Sequence, residues 1–60
     1  MPYVIVEMYE GRSVEQKRAA AKAITDAIVT HLNTTAEATH VLFHELKREN
    51  AAQAGKLACD

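Results

Sequence analysis

Two apolar runs of strand length, residues 2–8 (Pro-Tyr-Val-Ile-Val-Glu-Met) and residues 40–46 (His-Val-Leu-Phe-His-Glu-Leu), flank one long stretch with helical spacing. Both runs are rich in β-branched and aromatic residues and too short for a helix. Two strands joined through a helix of that length lie parallel in one sheet, with a right-handed crossover. The predicted fold is therefore α/β, a small β-α-β unit, with residues 1–60 forming one domain. In the first run Val4, Val6 and Met8 make one wholly apolar face, and Tyr3, Ile5 and Glu7 make a second that is mostly so. A strand apolar on both sides predicts that one face meets the chain's own helix and the other meets another subunit.

The punctuation between the runs is specific. Gly11 in Glu10-Gly11-Arg12 suits a turn needing a positive φ. Ser13-Val14-Glu15-Gln16 fits a capping box, in which the serine hydroxyl and the glutamine side chain each satisfy a backbone amide at the helix start. The helix is predicted from Val14 to about His31 or Leu32, with Ala20, Ala23, Ile24, Ala27, Ile28 and Leu32 as its core stripe. Lys17, Arg18, Lys22 and Asp26 read as a solvated face. Asn33 suits a left-handed cap, and a single turn is expected within residues 36–39. Beyond the second strand, residues 47–50 read as a polar loop, and residues 51–57, with Gly55, as a hairpin or arm that packs on a neighbour.

A chain of 60 residues buries only about 60% of the surface that it exposes when unfolded, so it is marginal alone. One cysteine, Cys59, cannot form an internal disulfide. His31, His40 and His44 have neither a cysteine partner nor a metal-site spacing, so no metal is expected. Association remains as the source of stability, and a homo-oligomer is expected. A formal charge of −1 gives no basic excess for nucleic acid. No apolar run approaches the ~20 residues that span a bilayer, and no signal segment is visible. The expectation is a soluble cytoplasmic protein with neither a nucleic-acid nor a membrane partner.

The chemistry rests on Met1-Pro2. Methionine is usually removed before a residue as small as proline. Pro2 would then carry a secondary amine, which an internal proline lacks. Such an amine is a potential base. An ordinary α-amino group titrates near ~7.7–8.0, and proton transfer at neutral pH works best with a base near the operating pH.

Met-Pro-Tyr-Val, the turn Glu10-Gly11-Arg12-Ser13 followed by Glu15-Gln16-Lys17, the Glu45-bearing second strand and Gly55-Lys56-Leu57 together resemble the 4-oxalocrotonate tautomerase family. The resemblance covers nearly the whole chain. It implies a subunit that pairs into a dimer with a four-stranded sheet, three dimers forming a hexamer. It also implies that Pro2 is the general base of a cofactor-independent keto–enol tautomerase. The substrate would be a small carboxylate, a 2-hydroxydienoate or a pyruvate enol. Arg12 matches the family arginine that binds a substrate carboxylate, a task suited to the planar guanidinium fork.

Two positions depart from the family pattern. Where the best-studied members place a second arginine, reaching into a neighbouring subunit's site, this chain has His40. Imidazole can donate one hydrogen bond to the substrate but has no fork. Where the family places an aromatic ring that walls the pocket, this chain has Ala51. A missing ring leaves a wider or wetter pocket. Tyr3 and Tyr9 read as packing residues that can also border a pocket. The alternative reading is a catalytically weak or silent member, a small-acid binder or assembly protein.

Overall fold

The computed structural model describes residues 1–60. Strand β1, Tyr3–Tyr9, and strand β2, His40–Leu46, are joined by helix α1, Val14–Leu32. The strands pair in parallel, in a register that runs from Tyr3 opposite His40 to Tyr9 opposite Leu46. The β-α-β unit with parallel strands is thus the one expected, with β1 starting and ending one residue later than the apolar run.

Local chemistry sets the boundaries of α1. Gly11 adopts φ 124°, which turns the chain out of β1. The Ser13 hydroxyl accepts from the Gln16 backbone amide at 3.1 Å, and the Gln16 side-chain oxygen accepts from the Ser13 amide at 2.9 Å. Both halves of the capping box are present, and two otherwise unpaired helix-end donors are satisfied. At the other end Asn33 takes the left-handed cap at φ 54°, ψ 55°. A turn at residues 36–38 leads into β2, with the Thr39 amide donating to the Ala36 carbonyl at 3.1 Å.

The helix docks on one face of the two-stranded sheet. Val4, Val6, Met8, Val41 and Phe43 are half-buried on that face, facing Lys17, Ala20, Ala21, Ile24 and Ile28 of α1. This corrects the predicted stripe, because Ala23, Ala27 and Leu32 are exposed. Ala23 and Ala27 lie to one side of the docked line at 100° per residue, and Leu32 falls past the sheet. A helix of 19 residues is about 28 Å long, whereas a strand of 7 is about 23 Å. Lys17 is the second correction. It is half-buried and pairs with Glu45 of β2 at 2.8 Å, its alkyl stem lying over the sheet while its ammonium reaches the carboxylate.

Beyond β2 the polar loop contains one 3₁₀ turn, Arg48–Asn50. The arm is a hairpin of β3, Ala52–Gln53, and β4, Lys56–Leu57, paired antiparallel. Its two-residue turn has Ala54 at φ 54° and Gly55 at φ 80°. Positive φ at both central residues is the primed turn whose twist suits a tight hairpin.

The other sheet face is open. Tyr3 stacks on His40, Ile5 lies opposite Leu42, and Glu7 faces His44 at 3.4 Å. Tyr3, Ile5 and Leu42 are 55%, 54% and 42% exposed, and not one residue of the chain is fully buried. The accessible surface is 4753 Å², whereas a folded monomer of this mass exposes about 3,900 Å². The radius of gyration is 14.4 Å, against about 10 Å for a compact chain of this length. One copy builds its secondary structure without closing a core. No helix is long and apolar enough to cross a membrane.

Candidate functional site

The residues singled out from the sequence fall at two opposite ends of the sheet. At the leading end the Pro2 carbonyl accepts from the His40 backbone amide at 2.9 Å. That bond extends the parallel ladder by one step and holds Pro2 beside the start of β2. The His40 ring stacks on Tyr3 with centroids 4.5 Å apart and planes 10° from parallel. The Met1 amino group donates to the Ala38 carbonyl at 2.8 Å. Pro2 and His40 are therefore neighbours within one chain.

Arg12 is at the other end. β1 has 7 residues, so roughly 20 Å of strand separates Pro2 from the turn that carries Arg12. There Arg12 lines a cleft of about 190 Å³ between α1 and the sheet, with Val6, Met8, Gln16, Lys17 and Phe43 among its walls. Two cations thus border the cleft. Lys17 is neutralised by Glu45 at 2.8 Å, whereas Arg12 takes part in none of the chain's ion pairs. Of the two cations at the cleft, Arg12 is the one without an ion-pair partner.

A second, larger hollow of about 310 Å³ lies between the end of β1 and the hairpin, lined by Tyr9, Ala51, Gln53, Lys56 and Leu57 among others. Ala51, which stands where the resemblance implies an aromatic pocket wall, borders this space. The aromatic wall of that space is Tyr9, and the Arg48 guanidinium carbon lies 4.4 Å from the Tyr9 ring centroid. Arg48 and Lys56 were missed in the sequence, the first read as loop and the second as arm. The available signal was Gly55, since a two-residue turn there returns Lys56 to the side of Gln53 and brings Leu57 opposite Ala52.

The remaining polar groups gather less. His44 faces Glu7 across the strands at 3.4 Å, and Cys59 is exposed. No three histidine, cysteine, aspartate or glutamate side chains converge into a set that would hold a metal ion. Chemically, the chain offers a proline beside an imidazole at one end, and a free guanidinium beside apolar walls at the other.

Comparison with known proteins bears on this arrangement. Residues 2–60 match the family described as tautomerase enzyme. A probable tautomerase of Lactococcus lactis is 46% identical over 57 residues, which cover 95% of this chain and 93% of that protein. The 2-hydroxymuconate tautomerase of Bacillus subtilis is 38% identical over 60 residues, covering 100% of this chain and 97% of its own. Among solved structures, that of a 4-oxalocrotonate tautomerase isozyme from Methylibium petroleiphilum matches with a TM-score of 0.91 at 40% identity, covering 97% of this chain and 91% of the other.

Proposed function

The chain belongs to the tautomerase family, on its 4-oxalocrotonate tautomerase branch, and from that premise we propose a cofactor-independent keto–enol tautomerase acting on small 2-hydroxydienoate or pyruvate-enol acids. The reaction is an isomerisation. With Met1 removed, the Pro2 secondary amine takes the enol O–H proton of a 2-hydroxydienoate. The oxygen electron pair forms the 2-oxo group, the double bonds shift along the chain, and the same proton passes from Pro2 to the distal carbon. The product is a conjugated 2-oxo acid of unchanged formula, and the amine is returned neutral. Arg12 holds a substrate carboxylate through its fork and draws electron density toward the carbon being protonated. His40 donates one hydrogen bond toward the 2-oxo oxygen.

The observation that carries this reading is the division of the groups between the two ends of β1. A base and a carboxylate anchor roughly 20 Å apart cannot serve one small acid within one copy. β1 pairs only with β2 and has a free edge. Antiparallel pairing of that edge with its equivalent in a second copy lays Pro2 of one chain near Arg12 of the other. A twofold axis makes two such sites and a four-stranded sheet. Dimers of this kind, three to a hexamer, also cover the open face that one copy leaves bare.

The test begins with intact mass, to establish that Met1 is absent. Ketonisation of 2-hydroxymuconate and phenylenolpyruvate is then followed for the protein and for Pro2→Ala. The expected loss is at least about 100-fold, within the range of a missing general base. A processed protein no faster than buffer, or a Pro2→Ala variant as fast as its parent, refutes the enzyme reading and leaves a small-acid binder or assembly protein. His40→Arg is expected to raise activity, because it restores a fork to a site that has only an imidazole there.

A further inference from the structure

We propose that Lys56 binds the anionic end of a small planar acid in the hollow between Tyr9 and the hairpin. This residue, to which the family resemblance assigns no role, supplies a cation additional to the turn arginine. The proposal rests on the reading of the site as one for small carboxylates, and it extends that site to the hairpin.

Size distinguishes the hollow from the cleft. At about 310 Å³ it reaches the lower bound of about 300 Å³ for ligand pockets, which the 190 Å³ cleft does not. A dry cavity of about 150 Å³ already holds benzene, so there is room for a flat unsaturated body and a carboxylate. The walls suit that shape. Tyr9 offers a ring, Ala51 and Leu57 offer apolar surface, and Lys56 is the one cation that lines the space.

Lys56 is also free to act. It enters none of the chain's ion pairs. Asp60, the carboxylate closest to it along the arm, instead accepts from the Leu57 amide at 3.1 Å. The strand that carries Lys56 is held in place, because the Ala58 amide donates to the Ala51 carbonyl at 2.8 Å and closes the base of the hairpin. The opposite wall is held as well, by the Arg48 guanidinium over the Tyr9 ring. Tyr9 is three residues before Arg12, so hollow and free guanidinium open at the same end of the sheet. There an ammonium is a point charge that meets one oxygen without requiring a fork.

The experiment uses the full chain in its assembled state, carrying Pro2→Ala so that no turnover intervenes. It is titrated with trans-cinnamate while backbone amide resonances are followed. The expected result is saturable shifts at Ala51, Leu57 and Ala58. Lys56→Gln should weaken cinnamate at least fivefold, and Lys56→Arg should keep it within twofold of the parent. Neutral cinnamamide should bind the parent and Lys56→Gln equally. Three results overturn the proposal: an affinity within twofold in Lys56→Gln, an equal loss for the neutral amide, or no shifts in the hollow because a neighbouring copy fills it. Intact binding in a protein without ketonisation activity refutes the enzyme reading alone. Normal ketonisation with cinnamate indifferent to Lys56 refutes the subsite alone.

Discussion

Ile5→Asp should abolish both assembly and folding, because in the proposed assembly the open sheet face is where this chain completes its core. The surface that one copy exposes, 4753 Å², exceeds the expectation for a folded monomer by about 900 Å². That excess is close to the ~800 Å² that each partner contributes to a standard protein interface. Ile5 stands in the middle of the face, opposite Leu42, and is 54% exposed. Full burial of an isoleucine is worth about 1.5–3 kcal/mol, so covering its remaining half contributes about 1–1.5 kcal/mol per chain. Aspartate loses that and adds the cost of an unpaired charge in an apolar contact, several kcal/mol more. With total stabilities of only about 5–15 kcal/mol, and one such change in every copy, the assembly should not survive. Sedimentation velocity at micromolar concentration, with far-UV circular dichroism on the same samples, reads both effects. The parent should sediment as an oligomer, Ile5→Val should resemble it, and Ile5→Asp should sediment as an unfolded monomer. A parent that is a folded monomer, or an Ile5→Asp variant with parental mass and melting temperature, refutes the reasoning.

Three further substitutions test local claims by thermal denaturation at fixed protein concentration. Ser13→Ala removes one half of the capping box and should cost about 1 kcal/mol. Ala54→Gly relieves a side chain held at φ 54° in the hairpin turn and should stabilise by about 0.5–1 kcal/mol, raising the melting temperature by several degrees. Glu45→Gln leaves the half-buried Lys17 ammonium without its partner and should destabilise by on the order of 1 kcal/mol, an effect that Lys17→Met in the same chain should largely remove.

The parts of the fold that were legible in the sequence are those governed by near neighbours. Gly11, the capping box at Ser13 and the cap at Asn33 each act within one turn, so the extent of α1 followed from them, and the parallel order of the strands followed from the length of that connecting helix. The inward side of α1 was less legible, because it depends on where the sheet ends and on which residue of β2 lies beneath. Lys17 looked solvated until the register placed Glu45 under it, and Leu32 looked buried until the helix proved longer than the strands. For the proposed site, Pro2, Arg12 and His40 were visible through a resemblance, whereas their division between two ends of a strand became visible only with the chain folded. Arg48 and Lys56 depended on a short 3₁₀ turn and a hairpin whose first turn residue is an alanine, a weak signal for positive φ.

The division of the site between chains is the central claim, and subunit mixing tests it most directly. Pro2→Ala and Arg12→Ala proteins, each inactive alone, are unfolded together, refolded as a mixture and assayed for ketonisation. If each site takes Pro2 from one copy and Arg12 from another, random mixing in equal amounts restores about a quarter of parental activity. A mixture that stays as inactive as its components, beside a parent refolded in the same way and active, contradicts the claim and places both groups within one chain.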